Sequence, residues 1–292
     1  MLYDIKLALK YKYKPAALGG RHILRLMPAD IAGEQRLVAG FLEISPRADE
    51  RVDSVDFFGT QTTFSACGGP HPALNFTLTA RVNRLAIIPS FDMSPPLRSL
   101  NDDIQHYKAI DARSPHHFLG VSPLVALNAE IAAYARDIVS AQMSSQEAVS
   151  AISLALHRDM KFDPDATEVD TPMQEAFENR HGVCQDFSHI MICCLRSLGI
   201  PSGYVSGFLR TVPPPGKPRL EGADAMHAWV QAWCGFEAGW VEFDPTNATL
   251  VGQDHIVIGR GRDYSDVAPI KGIFRAAGSQ DTSQAVDVIP LT

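Results

Sequence analysis

The sequence predicts an α+β fold, in which an N-terminal antiparallel β-sandwich or barrel is followed by helices packed on a second antiparallel sheet. Alternating apolar residues, broken by Gly, Pro and Asp turns, fill most of residues 1–92. Helical spacing with recognisable caps begins after residue 121, and short strand-like segments resume after residue 202. We therefore expect a β-rich domain at 1–92, a linker at 93–121 and a second domain at 122–292.

The strands of the N-terminal part are marked by alternation and by turn residues. Residues 3–13 alternate between apolar and mainly polar side chains, as a half-buried β-strand requires. Because the strand-like segments are short and closely spaced, we expect neighbouring strands to pair antiparallel. The further predicted strands are 22–27, 35–44, 52–58, 60–65 and 74–88.

The predicted linker differs in composition from the segments on either side. Prolines punctuate a polar stretch in which no period is sustained. Such a stretch is typical of a connection that lies over a surface. In residues 89–121, which include the end of the preceding domain, these prolines are Pro89, Pro95, Pro96 and Pro115.

Three helices are predicted between the linker and the motif that carries Cys184. The first begins at Ser122-Pro123, a cap residue followed by proline at the first helical position. The second begins at Ser144, which forms a capping-box pattern with Glu147. The third begins at Thr171, again with a box-like pattern, and ends before Gly182.

The fourth helix is the most clearly marked in the chain. It begins near Cys184 and is ended by Gly199, which Pro201 follows. Its apolar residues form one stripe at helical spacing, which predicts a packed central helix with Cys184 on the buried side. The stripe consists of Phe187, Ile190, Met191, Cys194, Leu195 and Leu198. The strands predicted after it are 203–209, 228–234, 239–243, 255–258 and 286–289.

The composition excludes two classes of partner. With 26 basic and 33 acidic residues the net charge is −7, and no Lys/Arg cluster is long enough to follow a phosphate backbone. No apolar segment approaches the roughly 18 residues of a membrane span, and Asp4 and Lys6 interrupt the start, where a secretory signal would be apolar. We therefore expect no nucleic-acid or membrane partner, a cytoplasmic location and free thiols for the five cysteines.

Cys184 occupies a position that suits a nucleophile. It stands at the start of the predicted helix, where unpaired backbone N–H groups and the helix dipole favour the thiolate over the thiol. Downstream, His227 and Asp244 each lie on a predicted strand and provide a base and a group that orients the base. The ordered trio indicates a Cys-His-Asp enzyme.

The pairing of the two predicted strands that carry His227 and Asp244 tests this trio. Residues opposite each other in an antiparallel pair share a face. A four-residue loop, 235–238, places Trp229 opposite Asp244, and His227 then lies one diagonal step from the carboxylate. A five-residue loop without a bulge places the two side chains on opposite faces.

Local spacing alone leaves other assignments open. His181 and His189 lie near Cys184 in sequence, so each is a candidate base beside His227. Asp186 would oppose a thiolate if it pointed inward, and we expect it to turn away and bind backbone or a nearby basic group. The other cysteines are expected to be core or turn residues. No C-x-x-C pair is present, so no metal site is expected.

Four sequence motifs occur in a fixed order around these residues. They are Arg180-His-Gly-Val-Cys184-Gln-Asp-Phe-Ser-His, Gly199-Ile-Pro-Ser-Gly-Tyr-Val-Ser-Gly207, Met226-His227-Ala-Trp-Val and Gly239-Trp-Val-Glu-Phe-Asp244-Pro-Thr-Asn. Together they resemble the bacterial transglutaminase-like family, whose members are described as candidate cysteine proteases. The resemblance extends to residues 55–59 in the N-terminal part and 261–269 near the end, so it spans nearly the whole chain.

This resemblance implies a papain-like transglutaminase core, with Cys184 on a helix and His227 and Asp244 on the facing sheet. It implies attack of the thiol on the amide of a peptide or protein, which gives an acyl-enzyme. In a protease or amidase, water hydrolyses this acyl-enzyme. In a transglutaminase, an amine attacks it and takes the acyl group. We favour hydrolysis. The resemblance implies no metal or organic cofactor.

Residues outside the trio are candidates for the oxyanion site and the substrate cleft. The backbone N–H of Cys184 is the expected oxyanion donor, and Gln185 and Asn179 are candidate side-chain donors. Trp229 is a candidate cleft wall or a core residue. Residues 210–219 form a candidate flap or an inert surface loop.

Two other functions stay open on the sequence alone. One is a binding protein on the same fold with a relic triad, and the other is an enzyme that transfers acyl groups from a thioester to arylamines. The sequence does not predict an oligomeric state.

Overall fold

The structure is a computed structural model that describes residues 1–86, 91–211, 222, 224–275 and 278–291. The predicted flap at 210–219 lies almost entirely outside these residues. The strands are β1 (Leu2–Leu24), β2 (Gln35–Ser45), β3 (Glu50–Val55), β4 (Gln61–Arg84), β5 (Lys161–Phe162), β6 (His181–Gly182), β7 (Ser202–Leu209), β8 (Ala225–Trp233), β9 (Trp240–Asp244), β10 (Thr249–Leu250), β11 (His255–Gly261), β12 (Ile270–Arg275) and β13 (Ser279–Leu291). The helices are α1 (Leu100–His106), α2 (Ala129–Ile138), α3 (Ser145–Asp159), α4 (Met173–Asn179), α5 (Cys184–Ser197) and α6 (Tyr264–Val267). In the described residues no helix is long and apolar enough to cross a membrane.

A curled antiparallel sheet occupies the N-terminal part, as predicted. Its strand order is β12-β1-β4-β2, with β13 paired to β1 and β3 paired to β4. The predicted segment 3–13 and the first half of the predicted segment 22–27 are two parts of the single strand β1, which ends at Leu24, and most of 60–65 and of 74–88 are parts of β4. Long strands of this kind can hold two partners in succession, which explains the branching of the sheet.

The C-terminal strands join this first sheet. The sequence prediction grouped residues 122–292 together, whereas β12 and β13 both pair antiparallel with β1. The apolar residues of β13 explain the pairing, because Val286 and Val288 lie opposite Leu7 and Ile5 and are buried with them. Alternation predicts a strand but does not reveal which sheet it joins.

The two sheets share apolar contacts. Phe208 on β7 and Ile256 and Ile258 on β11 are fully buried in the same cluster as the inner face of the first sheet. Burial of such side chains stabilises the folded state by roughly 1.5–3 kcal/mol each. This contact holds the second sheet, which carries His227 and Asp244, against the N-terminal one.

The predicted linker contains a helix that the sequence pattern did not reveal. In α1, Leu100 and Ile104 are buried in the core of the second part. The helix has seven residues, so its apolar positions cannot repeat often enough to establish a period. The expectation of a purely irregular surface connection was therefore wrong for residues 100–106.

The caps of the remaining helices decide where each begins. The capping box of Ser144 and Glu147 is confirmed at the start of α3. The start predicted at Ser122 was wrong, because the side chain of Asn128 caps α2 instead by accepting from the backbone N–H of Glu130 and Ile131. The start predicted at Thr171 was also wrong, since α4 begins at Met173 with no side-chain cap.

The second sheet has the order β10-β9-β8-β7-β11, and α5 packs on β8 and β7. The register predicted for β8 and β9 is confirmed, because Val230 pairs with Phe243 and Trp233 with Trp240. The backbone N–H of Cys234 also donates to the carbonyl of Gly239, which closes the four-residue loop. His227 and Asp244 therefore lie on one face of the sheet.

Gly207 on β7 provides room for the aromatic ring that supports this face. A Cβ at this position would overlap the carbonyl oxygen of Ile256 and the indole of Trp229, and both lie in the packed interior. We expect Gly207→Ala to lower the free energy of unfolding by about 1–3 kcal/mol, because overpacked cores must shift. Urea denaturation measures this, with Gly69→Ala as control, since no described residue apart from its chain neighbours has an atom within 4 Å of a Cβ there. Equal stability of the two variants would contradict the close packing of Trp229 and Ile256 against Gly207.

Candidate active site

Cys184 is the first residue of α5 and is partly buried. Asp186 fixes the start of this helix, because its Oδ2 accepts hydrogen bonds from the backbone N–H of Val183 at 2.8 Å and from the hydroxyl of Thr167 at 2.6 Å. Gly182 leaves room for that carboxylate, which would lie 2.6 Å from a Cβ at this position. The expectation that Asp186 binds backbone is confirmed.

His227 contacts Asp244 across the paired strands. Its Nε2 lies 2.7 Å from Asp244 Oδ2, and the two side chains are 8% and 0% exposed. Since Nε2 is directed at the carboxylate, Nδ1 is the nitrogen left for the thiol of Cys184, whose interaction with this histidine raises the histidine's pKa. Helix, strand and strand thus bring the three predicted residues together.

The electrostatics of the pair favour a charged histidine. Burial by itself lowers the pKa of His227, but the hydrogen bond to Asp244 and the interaction with Cys184 outweigh it and raise the pKa to about 10. For Asp244, burial raises the pKa, whereas the hydrogen bonds from His227 and His255 outweigh it and hold the pKa well below its ordinary value. An imidazolium and a carboxylate therefore face each other at neutral pH.

This raised pKa predicts how stability depends on pH. A group whose pKa is higher in the folded state stabilises that state fully below its unfolded pKa, and the contribution is lost as the pH rises through the folded pKa. Relative to His227→Gln, the wild-type free energy of unfolding should have a constant excess between about pH 5 and pH 6.5, which shrinks as the pH rises towards about 10. Urea denaturation of both proteins across this range measures the excess. If the excess free energy of unfolding of the wild type over His227→Gln does not change with pH, His227 is not charged in the folded state.

Asp244 accepts more hydrogen bonds than the predicted triad contains. Its Oδ1 accepts from the backbone N–H groups of Thr246 and Asn247 at 3.0 and 3.1 Å. Its Oδ2 accepts from Nδ2 of Asn247 at 2.7 Å and also lies 3.1 Å from Nε2 of His255. The turn after an Asp-Pro pair gives a sequence signal for the first three contacts. No local signal identifies His255, which is close only through the fold.

A metal ion is the other chemistry that the two histidines and Asp244 could serve. One ligand atom from each of His227, Asp244 and His255 lies within 4.8 Å of the others. The donor set fits a hydrogen-bond network better, since the backbone N–H of Gly252 donates to His255 Nδ1 at 3.4 Å and leaves the ring hydrogen on Nε2, facing the carboxylate. A metal at this position would have to displace that hydrogen.

The two alternative bases have different surroundings. The backbone N–H of Tyr264 donates to Nε2 of His189 at 3.2 Å, and burial lowers the pKa of His189 to about 4. His181 belongs to β6, before the helix, and its charge acts on Asp186. The pKa of His227, by contrast, is raised by its interaction with Cys184.

The other residues predicted for the site have different surroundings. The side-chain amide of Gln185 donates to the carbonyl of Val169 at 2.9 Å, and Asn179 is exposed at the end of α4. Trp229 is fully buried, and its Nε1 donates to Glu242 at 2.8 Å. Its ring packs edge-on against His255 at 5.2 Å and lies 6.2 Å from the ring of His227. Trp229 therefore supports the histidines from within the core.

Two tyrosines interact electrostatically with the thiol, and sequence reasoning missed both. Burial raises the pKa of Tyr204 and of Tyr264, and the nearby Cys184 adds to each shift. Their rings lie 6.0 Å apart in an edge-on arrangement. Tyr264 belongs to the motif at 261–269, which links that motif to the surroundings of the cysteine.

Comparison with known proteins identifies the family. The core of the transglutaminase-like superfamily matches residues 132–245, and the bacterial transglutaminase-like N-terminal region matches residues 3–83. An uncharacterized protein of Mycobacterium tuberculosis is 34% identical over 268 residues, which cover 88% of this chain and 82% of that protein. The chain belongs to the transglutaminase-like superfamily. Its core match contains Cys184, His227 and Asp244.

Further similarities agree with this transglutaminase-like assignment. An uncharacterized protein of Mycobacterium leprae is 31% identical over 284 residues, which cover 96% of each chain. The crystal structure of a candidate cysteine protease from Cytophaga hutchinsonii superposes with a TM-score of 0.69 and 18% identity, covering all of this chain and 91% of that one. This likeness shows the fold, a papain-like core preceded by a β-rich region, as predicted.

Proposed function

We propose that this transglutaminase-like protein is a cysteine enzyme that cleaves or transfers acyl groups of peptide or protein amides through Cys184, His227 and Asp244. The observation that carries the proposal is the 2.7 Å contact between His227 and the buried Asp244 carboxylate, together with the interaction of the Cys184 thiol that raises the pKa of His227. This arrangement matches the requirements of thiol catalysis, which are a nucleophile, a base within hydrogen-bond reach and a group that orients the base.

The first step forms an acyl-enzyme. The Cys184 thiolate, which is paired with the protonated His227, attacks the amide carbonyl carbon, which forms a C–S bond and moves the carbonyl electron pair onto oxygen. When the tetrahedral intermediate collapses, the C–N bond breaks, and the imidazolium gives its proton to the leaving amine. Asp244 keeps the imidazole oriented and stabilises its positive charge.

The start of α5 supports a backbone contribution to the oxyanion site. In the described residues no acceptor binds the backbone N–H of Cys184, which precedes the first intrahelical hydrogen bond. A donor at this place is available to the developing negative charge. Since the amide of Gln185 is bonded to Val169, a role for Gln185 would need its side chain to move.

The second step releases the acyl group. Water gives its proton to His227 and attacks the thioester carbon, and the thiolate leaves as a carboxylic acid forms. An amine that attacks in place of water gives a new amide. We favour hydrolysis, because aminolysis needs a second binding site that holds the amine against the thioester.

Intact-mass spectrometry tests this function. The wild-type protein is incubated with a panel of peptide amides, each with and without a primary amine, and quenched in acid. We expect a mass increase equal to the acyl group on Cys184, and release of either the acid or the new amide. The matched control is Cys184→Ser, which keeps the shape of the side chain and removes the thiol.

Each outcome of this experiment separates the candidate functions. An adduct only with thioester donors that transfer to arylamines would assign the third function raised by the sequence. An adduct that persists in Cys184→Ser would exclude this nucleophile. The absence of any adduct, together with ordinary reactivity of Cys184 towards iodoacetamide, would favour a binding protein with a relic triad.

A further inference from the structure

We propose that His255 is a positioning residue for the triad, which holds the Asp244 carboxylate in the orientation that His227 needs. The inference rests on the proposed function, because it assigns a role to a neighbour of the same three residues. His255 is the first residue of β11 and is 5% exposed. Its Nε2 lies 3.1 Å from Oδ2 of Asp244, the same oxygen that His227 contacts at 2.7 Å.

The hydrogen bonds of His255 define which nitrogen carries its hydrogen. The backbone N–H of Gly252 is directed at Nδ1 across 3.4 Å. A backbone N–H can only donate, so Nδ1 presents a lone pair, and the hydrogen of the neutral ring lies on Nε2. Nε2 therefore donates to Asp244, as a group that orients a carboxylate must.

The place of His255 in the sheet distinguishes it from the other donors to Asp244. Thr246 and Asn247 belong to the turn that follows the aspartate, so they move with it. His255 lies on β11, which β7 and β8 separate from β9 in the strand order. Apart from His227, it is the only donor to this carboxylate, among the described residues, that comes from a distant strand.

The ring of His255 is itself held by its neighbours. The Trp229 ring packs edge-on against it at an interplanar angle of 79°, and the indole N–H is fixed by Glu242. Residues that orient a functional side chain in this way need a rigid support of their own. Trp229 therefore contributes to the site from the core, through both histidines.

Two substitutions at position 255 separate hydrogen bonding from packing. His255→Leu removes the donor and keeps most of the bulk, whereas His255→Gln can place an amide N–H where Nε2 lies. The readout is the rate at which iodoacetamide alkylates Cys184 at neutral pH, measured by intact mass, with His227→Ala as the reference for a lost base. Thermal unfolding of each variant shows whether the fold is kept.

We expect alkylation to be roughly tenfold slower in His255→Leu, because a buried carboxylate loses a donor, and to return to within about threefold of wild type in His255→Gln. A wild-type rate in His255→Leu with a slow His227→Ala would overturn this inference and leave the proposed function intact. Wild-type alkylation rates in both His255→Leu and His227→Ala would overturn the proposed function as well. Equal slowing in the Leu and Gln variants would assign His255 to packing and overturn its role as a donor.

Two measurements on the wild-type protein keep the inference testable if the Leu variant does not fold. Nitrogen NMR of the histidine rings should show a hydrogen on Nε2 of His255 and none on Nδ1, and the opposite tautomer would overturn the inference. Alkylation should be unchanged after treatment with EDTA. A rate that changes on chelation would assign the three-residue cluster to a metal and overturn the inference.

Discussion

His227→Ala is expected to lower turnover of an amide substrate by roughly 10⁴–10⁶-fold, because the thiol loses the group that accepts its proton and the leaving amine loses its proton donor. His189 cannot readily substitute for this imidazole, since the backbone N–H of Tyr264 donates to its Nε2. The measurement is kcat/KM on a substrate found by the acyl-adduct screen, with His106→Ala, at an exposed position, as control. Activity within tenfold of wild type would contradict the role of His227.

Asp244→Asn is expected to have the second-largest effect, a loss of roughly 10³–10⁴-fold in kcat with a smaller change in KM. The buried carboxylate accepts from two histidines and from the turn at residues 246–247, and an amide would present N–H groups to donors. The wrong tautomer of His227 would then be favoured, with its hydrogen on the nitrogen that faces the thiol.

Stability and catalysis must be separated for this variant. We also expect Asp244→Asn to lower the melting temperature, because buried donors lose their acceptor. The control is Asp137→Asn on an exposed face of α2, which should change neither quantity. If Asp244→Asn is less stable than wild type but fully active, the carboxylate stabilises the fold and has no role in catalysis.

The parts of the site that the sequence predicts are those that depend on local rules. The start of α5 follows from the apolar stripe and from Gly182, and the meeting of His227 with Asp244 follows from the loop between β8 and β9. Both rules involve residues that are close in sequence, so their geometry follows from helical spacing and from strand register.

The parts that were missed depend on contacts between distant segments. His255 reaches Asp244 only because β11 folds back beside β7, and β13 reaches β1 only because its apolar alternation matches a strand at the other end of the chain. Likewise, Asn128 and Ser122 are both good cap residues, and tertiary packing selects Asn128. Neither composition nor period contains this information.

The alkylation of Cys184 across pH tests the central claim most directly. The other four cysteines are buried, and burial raises the pKa of each, so iodoacetamide should label Cys184 selectively. Between about pH 5 and pH 8 we expect wild-type labelling to stay fast, because a thiolate paired with the His227 imidazolium reacts throughout this range. In His227→Ala, labelling should be slow at acidic pH and rise with pH as for an ordinary thiol. Superimposable profiles for the two proteins would contradict the pairing of Cys184 with His227.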